Sequence, residues 1–158
     1  MKNVKVYINS TTQTTEQRWG VKFTETSVTA LMTPAPKKKY ITNKSALSHG
    51  KQVLSGGANT PRTDERDVQL TFSLRATSLA RFLMQYREFV NELKKGSIDL
   101  TTHIWEDTTW FKETYHLNYV SCNQYAEYNG RLAKFVIKFN EPNPENRVVE
   151  HSTDIKAL

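Results

Sequence analysis

The stretch RDVQLTFSLRATSLARFLMQYREFVNELKKG, residues 66–96, decides the fold. Over Arg66 to Ala76, Val68, Leu70, Phe72 and Leu74 point one way, and Gln69, Thr71, Ser73 and Arg75 point the other. Period two is the mark of a strand with one buried and one polar face. From Ser78 the period changes. Leu79, Phe82, Leu83, Tyr86, Phe89, Val90 and Leu93 recur at spacings of three and four, which makes one broad apolar stripe on a helix over 78–95. Thr77 or Ser78 is placed to cap its first turn. Lys94 and Lys95 fall in the last turn, where the helix dipole favours cations, and Gly96 is placed to end it with a left-handed residue. Such a helix is about 27 Å long, enough to cover a sheet. If the whole stripe is buried, Leu83→Ala should cost about 2–5 kcal/mol.

Downstream the pattern is again that of strands. Ile98, Leu100, Thr102 and Ile104 alternate, and a turn follows through Glu106-Asp107-Thr108. Phe111 to Val120 is the next strand, with Tyr115, Leu117 and Tyr119 on one face. Asn129-Gly130 is a hairpin signal. Arg131 to Phe139 returns with Ala133, Phe135, Ile137 and Phe139 inward, and Glu141-Pro142-Asn143-Pro144 ends the sheet, because proline cannot join a central ladder. Residues 145–158 read as a polar C-terminal tail.

Upstream, Val4, Val6 and Ile8 mark a first strand, and Ser10 to Gln17 carries no apolar residue and reads as an exposed loop. Trp19 to Phe23 alternates again, and Ser27 to Met32 reads as a short strand after a weak turn at Glu25-Thr26. Between Thr33 and Glu65 no period is sustained. That segment holds Pro34, Pro36, Gly50, Gly56, Gly57 and Pro61, yet it also carries Tyr40, Ile41, Leu47, Val53 and Leu54. Structureless loops beyond about 15 residues are uncommon inside compact domains unless they serve a function or a partner orders them. The spacing therefore predicts an α+β fold: a mostly antiparallel β-sandwich or barrel of about seven strands with one flanking α-helix and a long loop over 33–65.

Composition narrows the function classes. The chain has 158 residues, the size of one domain, and a single cysteine, Cys122, which excludes a disulfide scaffold. No run approaches 18 apolar residues, so no membrane span is expected, and Met1 to Tyr7 lacks a signal-peptide hydrophobic stretch. Twenty-two Lys and Arg against 16 Asp and Glu leave a net charge of +6, which permits a polyanionic partner.

Catalytic patterns are thin. His49, His103, His116 and His151 have no partner at metal-ligand spacing. Asp99, Glu106, Asp107 and Glu113 gather around one hairpin and read as a solvated turn rather than an acid–base pair. Ser121-Cys122-Asn123 lacks nucleophile-elbow glycines, so Cys122 reads as a small apolar filler. Gly56-Gly57 lacks the helix and Lys-Ser/Thr pair of a phosphate loop. No enzyme, metal or cofactor is expected. The one charge run is Lys37-Lys38-Lys39, reinforced by Lys44, Lys51 and Arg62. It suits phosphate or an acidic surface on another subunit, and equally a solvated loop. With Tyr115, Tyr119, Tyr125 and Tyr128 as stacking candidates, a basic nucleic-acid-binding domain is the alternative reading.

The block from Pro36 to Pro144 resembles the ring-forming N-terminal domain of phage distal tail proteins, and more broadly the tail-tube fold. The similar features are the basic Lys38-Lys39-Tyr40-Ile41-Thr42-Asn43, then Ala46 to Val53, and Pro61-Arg62-Thr63-Asp64-Glu65-Arg66 leading into a strand. The capped helix, Gly96 to Leu100, Tyr115 to Cys122, and a last strand running from Gly130 to Asn143-Pro144 complete the order. The resemblance implies one tail-tube-like β domain over 1–144 in a structural protein of a phage or prophage tail. It implies assembly with itself as a ring, six-fold in the family, linking the tail tube to the baseplate or tail tip. Other tail proteins would be its partners, DNA would only pass by, and its place would be the virion tail, assembled in the bacterial host cytoplasm. Two features depart from the family. Distal tail proteins often carry a second, carbohydrate-binding-like domain that this sequence does not reach, and tube lumens tend to be acidic whereas this chain is basic. The subunit-interface candidates are Lys37, Lys38, Lys39, Tyr40, Ile41, Leu47, Val53, Leu54 and Arg62.

Overall fold

The structure is a computed structural model; it describes residues 4–9, 12–39, 41–43, 46–47, 49–54 and 61–153. In chain order the elements are β1 (Val4–Ile8), α1 (Thr15–Trp19), β2 (Val21–Phe23), α2 (Glu25–Met32), β3 (Ile41–Asn43), β4 (Gln52–Leu54), β5 (Arg66–Arg75), α3 (Leu79–Leu93), β6 (Ser97–Glu106), β7 (Thr109–Tyr128), β8 (Leu132–Glu141) and β9 (Val148–His151). Seven strands form one antiparallel sheet in the order β1-β6-β7-β8-β5-β2, with β9 also on β7; among the described residues β3 and β4 pair only with each other. The fold is mostly-β α+β, as the alternation predicts.

The 20-residue β7 is the spine. Its first half pairs with β6, from Glu106 opposite Thr109 to Ser97 opposite Asn118. Its second half pairs with β8, from Asn118 opposite Asn140 to Tyr128 opposite Ala133, with irregularities at Tyr119/Ser121 and Gln124/Tyr128. β9 takes the edge of β7 beyond the end of β8, with Phe111 opposite His151 and Thr114 opposite Val148. Residues 145–153 are thus held to the sheet, a correction to the polar tail read over 145–158. The apolar signal was missing because all four β9 residues are exposed on an edge strand.

Two further corrections lie near the N-terminus. The segment read as an exposed loop contains α1, a single turn closed by a capping box: Thr14 Oγ1 accepts from Gln17 N, and Gln17 Oε1 accepts from Thr14 N. The Thr-x-x-Gln spacing is the sequence mark of this cap. It seats Trp19 in the core, so Trp19 belongs to α1 and not to a strand. The segment read as a strand over Ser27 to Met32 is α2. Tertiary context overrides the β-branched residues there: Ser27 Oγ donates to Thr71 O at 2.8 Å and accepts from Thr71 N at 2.8 Å, which satisfies the edge of β5 beyond short β2.

The core is aromatic. Phe72 lies edge-on to Phe89 at 4.9 Å and stacks on Phe135 at 5.3 Å, and Trp19 tilts against Phe89 at 5.3 Å. α3 is capped by Ser78, whose Oγ accepts from Arg81 N, and Gly96 follows with φ +97°. The helix does not bury its whole stripe. Phe82, Phe89 and Leu93 enter the core, whereas Leu79 and Leu83 are 50% and 51% exposed. Leu83 is therefore not the buried site the sequence reading allowed for. Buried Glu92 occupies the inner face instead, accepting from Asn9 Nδ2 at 2.5 Å and lying 2.8 Å from Lys95 Nζ. Among the described residues no helix is long and apolar enough to cross a membrane.

Candidate subunit interface and its anchor

The described residues between Thr33 and Glu65 include paired backbone at the base and a two-stranded pair beyond it, which makes the segment an arm, a correction to the unpaired loop read over 33–65. Asp64 N donates to Pro36 O at 2.8 Å, Lys38 N donates to Arg62 O at 3.0 Å, and Lys37 bridges Thr63. β3 and β4 form a separate pair, with Ile41 opposite Leu54 and Thr42 opposite Val53. The sequence reading missed this hairpin because its strands are three residues long and carry no sustained period.

Lys37, Lys38, Lys39 and Arg62 are exposed along the paired base of the arm, and Leu47 is 99% exposed. Ile41 lies on β3, and Val53 and Leu54 on β4. Tyr40 lies outside the described residues. The pairing thus brings the two flanks of the arm together, Lys37–Lys39 beside Arg62.

The arm is rooted on a charge network that sequence reasoning did not single out. Arg66 Nε donates to Glu141 Oε1 at 2.6 Å, and Arg66 Nη1 donates to Ala30 O and Thr33 O at the end of α2. Arg147 grips the same carboxylate, Nε to Oε2 at 2.9 Å and Nη2 to Oε1 at 2.8 Å. Arg147 also lies 3.5 Å from Glu113 and its guanidinium stands 4.9 Å over the Tyr115 ring. Tyr115 donates to Glu113 at 2.7 Å. Five side chains from β5, β7, β8 and the segment before β9, with two backbone carbonyls from the end of α2, thus meet at one point. The Arg66 side chain is 5% exposed and Glu141 is 0% exposed. Burial pushes the Glu141 carboxyl up, but hydrogen bonds from Arg147 and Arg66 outweigh it and hold the group below the ordinary carboxylate range. Burial, together with the hydrogen bond to Glu113, raises the Tyr115 phenol.

A sequence signal for this pair exists. Arg66 shares the inward parity of Val68, Leu70, Phe72 and Leu74, and Glu141 shares that of Ala133, Phe135, Ile137 and Phe139. Opposite charges at the inward ends of two neighbouring strands mark a buried pair.

The hairpin carboxylates separate. Asp99 Oδ1 lies 2.7 Å from His116 Nδ1, Glu113 joins the network, and Glu106 and Asp107 are exposed at the β6–β7 turn, with Asp107 at φ +52°. His103 contacts Trp105 and Trp110, and burial with nearby Lys112 and Lys5 lowers its pKa. No group of three His, Cys, Asp or Glu among the described residues could hold a metal ion. Burial pushes the Cys122 thiol up to about 11, away from nucleophilic use. Cys122→Ser is expected to keep the fold and assembly state of the parent by circular dichroism and light scattering. Lost function with intact fold and assembly would give the thiol a role.

The fold is a seven-stranded antiparallel sheet with α3 packed on it and a separate β3–β4 pair. The chain shares this fold with the Dit protein of phage SPP1, described as a paradigm of the hub of the adsorption apparatus in phages infecting Gram-positive bacteria. The TM-score is 0.55 at 11% identity, over 89% of this chain and 50% of that one. This chain spans about half the length of the SPP1 protein. No protein-family model matches the chain, and no curated protein matches it.

Proposed function

We propose that this chain is a structural assembly protein of a phage or prophage tail, a distal tail protein or a related component, whose domain forms a ring linking the tail tube to the baseplate or tail tip. The observation that carries the reading is the shared fold with a tail hub protein over 89% of the chain. The arm gives it a physical basis. Among the described residues β3 and β4 pair only with each other, outside the main sheet, and the arm's sequence carries Tyr40, Ile41, Leu47, Val53 and Leu54 as well as Lys37, Lys38, Lys39 and Arg62. In a ring each subunit presents one patch to a different patch on the next, and an arm lying across a neighbour meets that need. On this reading the partners are further copies of the chain and other tail proteins, the place is the virion tail, and the chain performs no reaction.

Replacing Gly50–Gly57 with a short Ser/Gly linker removes Val53 and Leu54 while leaving the main sheet and α3 in place. The expected product is a folded monomer by circular dichroism and light scattering. A variant that assembles like the parent at equal concentration would remove the arm from the interface. The second reading, a nucleic-acid-binding domain, rests on the exposed lysines of the arm. It requires DNA affinity that falls steeply with salt, whereas assembly through strand and apolar contacts does not.

A further inference from the structure

A cleft of about 730 Å³ opens where β2, β5, β8 and α3 meet at one end of the sheet. Its lining includes four cations, Lys22, Arg75, Arg81 and Lys134, and a single carboxylate, Glu16. Lys22 and Lys134 lie on either side of Ser73 in the register of three adjacent strands. Glu16 is already engaged, 3.3 Å from Lys22. Arg75 and Arg81 form no ion pair among the described residues.

The frame of the cleft is fixed. Gln85 Nε2 donates to Trp19 O at 2.8 Å, Ala76 N donates to Arg131 O at 2.8 Å, and Arg75 N donates to Gly20 O at 3.2 Å. Gly20 sits at φ +70°, and a Cβ there would lie 2.6 Å from Arg75 O. Like charges held around a fixed cleft repel one another, and an anion seated among them relieves the repulsion. Arg guanidinium groups favour planar carboxylates, which they take in bidentate fashion.

The same chain carries a matching group at the β6–β7 turn. β7 runs from Thr109, paired with Glu106 at the hairpin turn, to Tyr128, paired with Ala133 next to cleft residue Leu132. The tip carries Glu106 and Asp107, both exposed and in no ion pair among the described residues. Within one copy the tip carboxylates make no ion pair with Lys22, Arg75 or Arg81 among the described residues, so tip and cleft are two different patches that two copies arranged head to tail can join.

We propose that Glu106 and Asp107 of one copy dock in the Lys22/Arg75/Arg81/Lys134 cleft of the next. The inference rests on the self-assembly reading above and names a contact for it. The contact is heterologous, joining two different patches, so it propagates until rotation closes it. Behind the acidic tip stand Trp105 and Trp110, and the cleft offers Ala76 and Leu132 as apolar surface.

Charge reversal tests it. The full chain is prepared as the parent, as Arg75→Glu/Arg81→Glu, and as Glu106→Arg/Asp107→Arg, each checked for fold by circular dichroism and for mass by sedimentation. Each reversed variant alone should need a concentration higher by about a hundredfold or more to assemble. An equal mixture of the two should assemble like the parent, because each acidic tip then meets a basic cleft and each basic tip an acidic cleft. If the parent assembles and both variants assemble equally well, the contact is overturned while self-assembly stands. If the parent is monomeric at every concentration, self-assembly fails and the contact with it. If the cleft variant keeps the parent's mass but loses retention on single-stranded DNA, the cleft is a phosphate site and the proposal is wrong. A variant that fails to fold is replaced by Arg75→Gln/Arg81→Gln, which keeps polar side chains and should weaken assembly in the same direction.

Discussion

Glu141→Ala is expected to lower the stability of the folded chain by about 3–5 kcal/mol, because removing one partner of a buried ion pair leaves the other charge uncompensated. Glu141 is fully buried between Arg66 and Arg147 and accepts three hydrogen bonds from them. Without it, the Arg66 guanidinium would keep as hydrogen-bond partners only the carbonyls of Ala30 and Thr33, and its Nη2 is already buried without a partner among the described residues. The measurement is urea unfolding at neutral pH, and a loss below about 1 kcal/mol, the range of an exposed pair, would mean that the network is solvated. The same site sets a pH dependence. Its folded carboxyl is held below the ordinary range, so its contribution is complete at neutral pH and is lost as pH falls through the folded value. Parent protein should lose stability on acidification below about pH 5 more steeply than Glu141→Gln, which has no carboxyl to protonate there. Parallel curves would remove Glu141 from the acid response.

Phe89→Ala is the second large effect, about 3–5 kcal/mol for a fully buried aromatic side chain. Phe89 joins α3 to both Phe72 and Trp19, so its loss opens a void at the contact between helix, sheet and α1. Leu83→Ala on the same helix should cost under about 1.5 kcal/mol, since half of that side chain is already in water. Thermal or urea unfolding of the two variants side by side tests the helix orientation. Equal losses would mean that α3 is rotated toward burying Leu83.

That contrast shows where the sequence was readable. Strong alternation in Arg66–Arg75 and Leu132–Glu141 identified two central strands, because each buries one face completely. The helix after them was legible as an element, but its apolar stripe is wider than the surface it covers. Periodicity alone does not say that Phe82, Phe89 and Leu93 face inward while Leu79 and Leu83 stand at the edge. α2 reads as a strand from Thr26, Val28 and Thr29, and only the backbone of Thr71 on β5, distant in sequence, explains why Ser27 sits on a helix. β9 is an exposed edge strand and carries no alternation to read.

The candidate interface was partly legible. The basic run Lys37–Lys39 and the scattered apolar residues marked the arm, but its pairing depends on contacts such as Asp64 to Pro36, made across the whole segment. The buried Arg66–Glu141 anchor shows in the sequence only as inward parity at two strand ends. The cleft at Arg75 and Arg81 could not be read at all, since it forms where three strand ends and a helix start converge.

Self-assembly of this chain is tested most directly by native mass spectrometry of the purified full chain at low and high salt. The expected result is a single discrete multiple of the 18.2 kDa subunit, formed at low salt, still formed at high salt but at higher protein concentration because the charged contact is screened, and converted to monomer when the arm is replaced. A monomer at every concentration, retained on DNA at low salt and released at high salt, would contradict it and make the basic arm a nucleic-acid-binding surface.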